Sequence, residues 1–119
     1  MTDRAGITIF HNPACQTSRN ALAAIRQAGH EPRVVEYLKA GWTVGQLKEL
    51  LAAMHATPRD VLRVRGTPAE ALGLTAAGVT DEALLGAMIE HPILVERPIV
   101  VTPKGTVLAR PVEKLTALL

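Results

Sequence analysis

Cysteine is almost absent from this 119-residue chain: Cys15 is the only one. No disulfide can form within the chain, so a covalent intermediate on Cys15 needs a thiol from outside to discharge it. Aromatic residues are as scarce, at 3%, with a single Trp, Tyr and Phe. The core must therefore be assembled from Leu, Val, Ile and Ala, and no aromatic platform exists for stacking bases. Charge is not one-sided either. The net charge is +2 and the isoelectric point about 9.0, with no Lys/Arg cluster, which argues against a nucleic-acid partner. No apolar run is long enough to span a membrane. Residues 1–6 carry no apolar signal segment, and no His/Cys/Asp/Glu group has metal-ligand spacing. These absences predict a cytoplasmic protein with no metal, membrane or nucleic-acid site, whose free thiol stays reduced.

What is present reads as one globular domain over residues 1–119. Hydrophobic residues make up 48% and charged residues 20%, enough for a single modest core. Ile7-Thr8-Ile9-Phe10 is a β-type run that breaks at His11-Asn12-Pro13. A helix follows, with Leu22, Ile25 and Ala28 on one stripe and Gly29 as its stop. Arg33 to Leu38 reads as a second strand, giving a βαβ unit with a parallel pair. Thr43 caps a helix to Ala53, and Thr80-Asp81-Glu82 opens another to about Glu90, ending at His91. Short helical turns are expected at Asp60–Val64 and Pro68–Leu72. Arg97–Val101 and Thr106–Ala109 form a hairpin across Pro103-Lys104-Gly105, and Pro111–Leu119 closes as a short helix. The order is βαβ, a helical block, then ββα. The block, about 41–92, reads as an insertion. Trp42 is expected to be a hydrophobic anchor at a helix start, and His30 and His55 to be surface residues.

The chemistry concentrates in His11-Asn12-Pro13-Ala14-Cys15-Gln16-Thr17-Ser18-Arg19-Asn20. A cysteine between a strand and a helix start faces unpaired backbone N–H groups, which stabilise the thiolate and lower its pKa. The hydroxyls of Thr17 and Ser18 are candidate further donors, and a protonated His11 would add positive charge. Ser18 holds the second position of a Cys-x-x-Cys pair, so the site can attack and cannot resolve itself. A thiolate that attacks a tetrahedral anion meets repulsion, and cations must offset it. Arginine suits that task through its planar fork. Arg97, before the third strand, is expected near the first βα turn; Arg110 and Arg63 are further candidates.

The run Ile7 to Cys15 with Thr17-Ser18-Arg19-Asn20 resembles the active-site signature of the glutaredoxin-dependent arsenate reductases, the ArsC family. The run His91-Pro92-Ile93-Leu94-Val95-Glu96-Arg97-Pro98-Ile99-Val100-Val101 is similar to that family's second signature. Leu62-Arg63 and Ala109-Arg110-Pro111 also look like family positions, so the resemblance covers nearly the whole chain. It implies an α/β thioredoxin-like fold with a helical insertion between its two halves. It implies that Cys15 attacks arsenate, that glutathione as co-substrate attacks the adduct, and that glutaredoxin completes reduction to arsenite, with no bound cofactor. By the same resemblance Arg63, Arg97 and Arg110 bind the oxyanion, His11 keeps Cys15 ionised, and Ser18 hydrogen-bonds its sulfur. Pro98 would be a cis proline facing the thiol, and Asn12 and Thr17 would shape the loop. Gln16 departs from the glycine of the best-known members.

Two other readings stand beside this one. One is a transcription regulator of the Spx type that binds RNA polymerase. The loss of the second cysteine at Ser18 and the retained arginines weigh against it. The other is a glutathione-dependent thiol reductase of the same fold with another substrate.

Overall fold

The computed structural model describes residues 6–119. They divide into two compact units. One holds the residues up to Ala40 together with Arg97–Leu119; the other is Gly41–Glu96.

The first unit is built on four short strands: β1 (Thr8–His11), β2 (Arg33–Glu36), β3 (Ile99–Thr102) and β4 (Gly105–Leu108). The sheet order is β2-β1-β3-β4. β1 and β2 are parallel, while β3 runs antiparallel to both β1 and β4. The parallel pair is joined by helix α1 (Gln16–Gln27), which fits the ordinary crossover rule. This is the βαβ–ββα order of a thioredoxin-like sheet. Ile9 sits at its centre, opposite Val34 on one side and Val100 on the other. Ile7, Ile9, Val100 and Ala109 pack with Ala21 and Ile25 of α1 and with Leu115 of the closing segment. α1 ends as its sequence demands. His30 N–H donates to Ile25 C=O and Gly29 N–H to Arg26 C=O, a Schellman motif. Gly29 occupies the left-handed position at φ +90°, where glycine carries no Cβ penalty.

Four segments of this unit differ from what the sequence predicts. The second strand stops at Glu36, and Tyr37–Ala40 forms a helical turn, α2. The last register pair is His11↔Glu36; beyond it β1 turns away at Asn12-Pro13, leaving residues 37–38 no strand to pair with. β3 begins at Ile99, and β4 starts one residue early, at Gly105. The closing Val112–Leu118 segment is a 3₁₀ helix.

In the second unit, helix α3 (Val44–Met54) is capped by Thr43, whose side chain accepts from Gln46 N–H. Helix α4 (Asp81–Glu90) is capped by Thr80 in the same way, with Asp81 and Glu82 in its first turn and His91 at its end. The helical turn expected at 60–64 lies instead at Pro58–Val61 as a 3₁₀ turn under a Thr57/Asp60 capping box. Leu62 leaves it to pair with Val95, and Arg63 N–H donates to Leu94 C=O at 2.7 Å. Pro68–Leu72 closes only one turn, Leu72 N–H to Pro68 C=O. Trp42 is buried. His55 is exposed and His30 half-buried. Among the described residues no helix is long and apolar enough to cross a membrane.

Candidate active site

The site begins where β1 ends. Asn12 turns the chain twice over: its side-chain Oδ1 accepts from Ala14 N–H at 3.0 Å, and its carbonyl accepts from Cys15 N–H at 2.9 Å. Asx turns of this kind are what a short amide side chain favours. Pro13, which has no N–H to donate, occupies the turn between them. The turn delivers Cys15 to the N-cap of α1 in an extended conformation, with Arg19 N–H donating to its carbonyl at 3.0 Å. The cap position usually holds a side-chain oxygen that accepts the free N–H groups of the first turn. Here it holds a sulfur.

Long-range register supplies the cations. β3 and β4 pair Ile99 with Leu108, so continuing the ladder sets Arg97 opposite Arg110. Ala109 N–H donates to Pro98 C=O at 2.9 Å and keeps that pairing going past the strand ends. β1 and β3 pair Phe10 with Ile99, and the same continuation sets position 97 beside Asn12. Arg110 Nη1 donates to the Arg97 carbonyl at 2.8 Å and to Cys15 Sγ at 3.7 Å. Peptide bonds Arg97–Pro98 and Arg110–Pro111 are both cis; the second was not foreseen. Arg97 is 9% exposed.

Burial pushes the Cys15 thiol up. Hydrogen bonds from the Arg97 guanidinium, the Ser18 backbone N–H and Arg110, with the Arg97 charge, outweigh it and bring the thiol down to about 7. Alkylation of Cys15 by iodoacetamide is accordingly expected to titrate with a midpoint near 7, against about 8.5 for a free cysteine. Arg110→Ala, which removes one donor to the thiolate, is expected to move that midpoint up.

Two expected roles change. His11 was expected to bring positive charge. Burial lowers its pKa; Glu36 opposes the shift, and Arg26 and Arg19 reinforce it, so the ring is neutral at pH 7. Its Nδ1 lies 2.6 Å from Ser18 Oγ, and that oxygen accepts from Asn12 N–H at 3.1 Å. Ring and hydroxyl share this one hydrogen bond, the hydroxyl donating to a bare Nδ1 or accepting from Nδ1–H according to the tautomer. Ser18 was expected to serve the sulfur with its hydroxyl. The hydroxyl instead ties His11 to Asn12, and it is the Ser18 backbone N–H that helps to lower the thiol. The half-buried Thr17 hydroxyl is not among the groups that lower the thiol. Ser18→Ala is thus expected to leave the Cys15 midpoint nearly in place. It should destabilise the fold by about 1–3 kcal/mol, because it strands a buried N–H and a buried ring nitrogen. A thermal melt and an alkylation titration on one sample check both halves.

Arg63 lies in the second unit, where its Nη1 pairs with Glu96 Oε1 at 2.9 Å. Arg19 has no role in the sequence-based expectations, yet it touches the cysteine loop. Its guanidinium holds Pro13 C=O at 2.8 Å and Gln16 Oε1 at 2.6 Å, while Gln16 Nε2 donates to Asn20 Oδ1 at 2.7 Å. The i,i+3 and i,i+4 spacing of Gln16 with Arg19 and Asn20 was the available signal. The residue that departs from the familiar glycine is thereby part of a brace on the cysteine loop. Among the described residues no His, Cys, Asp or Glu cluster could hold a metal ion.

Known proteins resemble this chain along most of its length. An arsenate reductase of Rhizobium meliloti is 55% identical over 107 residues, spanning 90% of this chain and 76% of that protein. An arsenate reductase of Escherichia coli is 48% identical over 115 residues, spanning 97% and 82%. The solved structure of an arsenate reductase from Vibrio cholerae superposes with a TM-score of 0.89 at 36% identity, covering 95% of this chain and 97% of that one. Residues 10–118 match the ArsC family as a whole. With its cysteine loop, paired arginines and thioredoxin-like sheet, this chain belongs to the ArsC family.

Proposed function

We propose that this protein reduces arsenate to arsenite, with Cys15 as the nucleophile and glutathione and a glutaredoxin as the thiol partners. The observation that carries the reading is the thiol at the α1 N-cap, brought down to about 7 beside two arginines. The relatives named arsenate reductases supply the substrate.

The steps follow from the charges. Arg97 and Arg110 offset the repulsion between a thiolate and an oxyanion, and their forks suit tetrahedral oxygens. Arg63 is proposed as a third contributor on the resemblance alone. The thiolate attacks arsenic; a sulfur–arsenic bond forms and one oxygen leaves as water. Glutathione then attacks the adduct. Arsenic departs as arsenite with two electrons, and the two thiols that supplied them end as a disulfide. Cys15 has no partner cysteine in the chain, so a glutaredoxin thiol must take over the glutathione. Phosphate, a near isostere, can occupy the same donors and does not react, because thiols reduce As(V) and leave phosphate unchanged.

The test is arsenite production by purified protein with arsenate, glutathione and glutaredoxin, each omitted in turn. Turnover that needs all three supports the proposal. No turnover with Cys15 still reactive would shift the reading to another thiol substrate.

A further inference from the structure

Arg97 has more hydrogen-bonding capacity than its surroundings use. It is nine-tenths buried, and its Nε and Nη1 have no partner among the described residues. The same guanidinium is near enough to the Cys15 sulfur to lead the groups that lower its pKa, and strand register sets Arg97 beside the cysteine loop. A buried N–H without an acceptor is costly and rare, and one held beside a nucleophile marks where a ligand oxygen belongs. Size limits the ligand, since Cys15 is itself only 9% exposed. A tetrahedral oxyanion is one candidate. A smaller electrophile with two oxygens in a row is another.

We propose that Cys15 also reduces hydrogen peroxide, with Arg97 stabilising the departing oxygen and a small-molecule thiol regenerating the sulfur. The first step needs only this chain and peroxide, so it does not rest on the arsenate reading. The thiolate attacks one peroxide oxygen. A sulfur–oxygen bond forms, the oxygen–oxygen bond breaks, and its electron pair leaves on the distal oxygen as hydroxide. Sulfur is oxidised by two electrons to the sulfenic acid, and peroxide is reduced. Negative charge thus moves from the sulfur to the leaving oxygen, and fixed N–H donors beside the sulfur favour that displacement. The chain has no second cysteine to close a disulfide. A glutathione thiol therefore attacks the sulfenic sulfur and expels water. A second glutathione attacks the mixed disulfide, releasing the Cys15 thiolate and oxidised glutathione.

The experiment uses the full chain with hydrogen peroxide, traps the sulfenic acid on Cys15 with dimedone, and reads it by mass spectrometry. Rates are compared per thiolate with free glutathione. The Cys15 thiolate is expected to react at least about tenfold faster than that of glutathione, and Arg97→Met to slow it by about 10²-fold, the scale of one lost transition-state donor. Iodoacetamide alkylation per thiolate, which expels no oxygen anion, should change far less. Arg97→Lys, which keeps the charge and loses the fork, serves the same comparison if the methionine variant does not fold. A Cys15 thiolate no faster than glutathione, or an equal loss in both reactions, would overturn the proposal. Arsenate turnover, assayed separately, fails or succeeds independently of either result.

Discussion

Replacing Cys15 with serine is expected to abolish arsenite production, lowering turnover by about 10⁴-fold or more, the scale seen when an enzyme loses its nucleophile. Serine fits the N-cap, and it prefers that position intrinsically. The variant should therefore fold, and the loss should be chemical. A hydroxyl at the same place stays protonated near pH 7 and neither attacks As(V) nor exchanges with glutathione. The measurement is arsenite formed per enzyme with saturating thiol partners, beside a thermal melt. Retained arsenite production would remove Cys15 as the nucleophile. A second readout follows from proton linkage. The folded chain releases the thiol proton near 7 and the unfolded chain near the free-cysteine value of about 8.5. Between those values the unfolded state binds more protons, so the stability of the wild type rises with pH. That contribution is lost as pH falls through the folded value. The serine variant should lack the rise.

Arg97→Ala is expected to reduce kcat/KM for arsenate by about 10²–10³-fold while changing stability by less than about 2 kcal/mol. The imbalance has a structural cause. Two buried donors of this side chain lack acceptors among the described residues, a cost the fold already bears and the alanine variant loses. Truncation sacrifices the packing of the aliphatic stem, and the two effects oppose each other. Function has no such compensation. Arg97 leads the groups that pull the thiol down, so its loss raises the Cys15 midpoint as well as removing a partner for the oxyanion. Kinetics at several pH values separate the two parts: a raised midpoint recovers at high pH, and lost anion binding does not. Marked unfolding with unaltered specific activity would show that Arg97 serves the fold alone.

Much of the site was legible in the sequence because its bonds are local. The Asn12 turn, Cys15 at the helix start and the caps at Thr43 and Thr80 each join residues two to four positions apart. The Gly29 stop is likewise settled within one helical turn. Side-chain chemistry at such spacings is set by residue type, and so is the need for an outside thiol when the chain has one cysteine. The arginines were candidates by residue type, the resemblance gave them a role, and the topology accounted for two of them. Arg97 and Arg110 meet because the registers Phe10↔Ile99 and Ile99↔Leu108 extend past the strand ends.

Tertiary structure alone decided the remainder. The charge on His11 depends on burial, which no local pattern reports, and burial makes the ring neutral. The partner of the Ser18 hydroxyl depends on where the end of β1 meets the first turn of α1; it is His11 and Asn12. The end of β2 was fixed by where β1 turns away, and Arg63 was tied to Glu96, 33 residues further on. The sequence by itself determined that one reactive thiol stands at a helix N-terminus and cannot resolve itself. Its protonation and its cations were decided by desolvation and strand register, which arise only when distant segments pack.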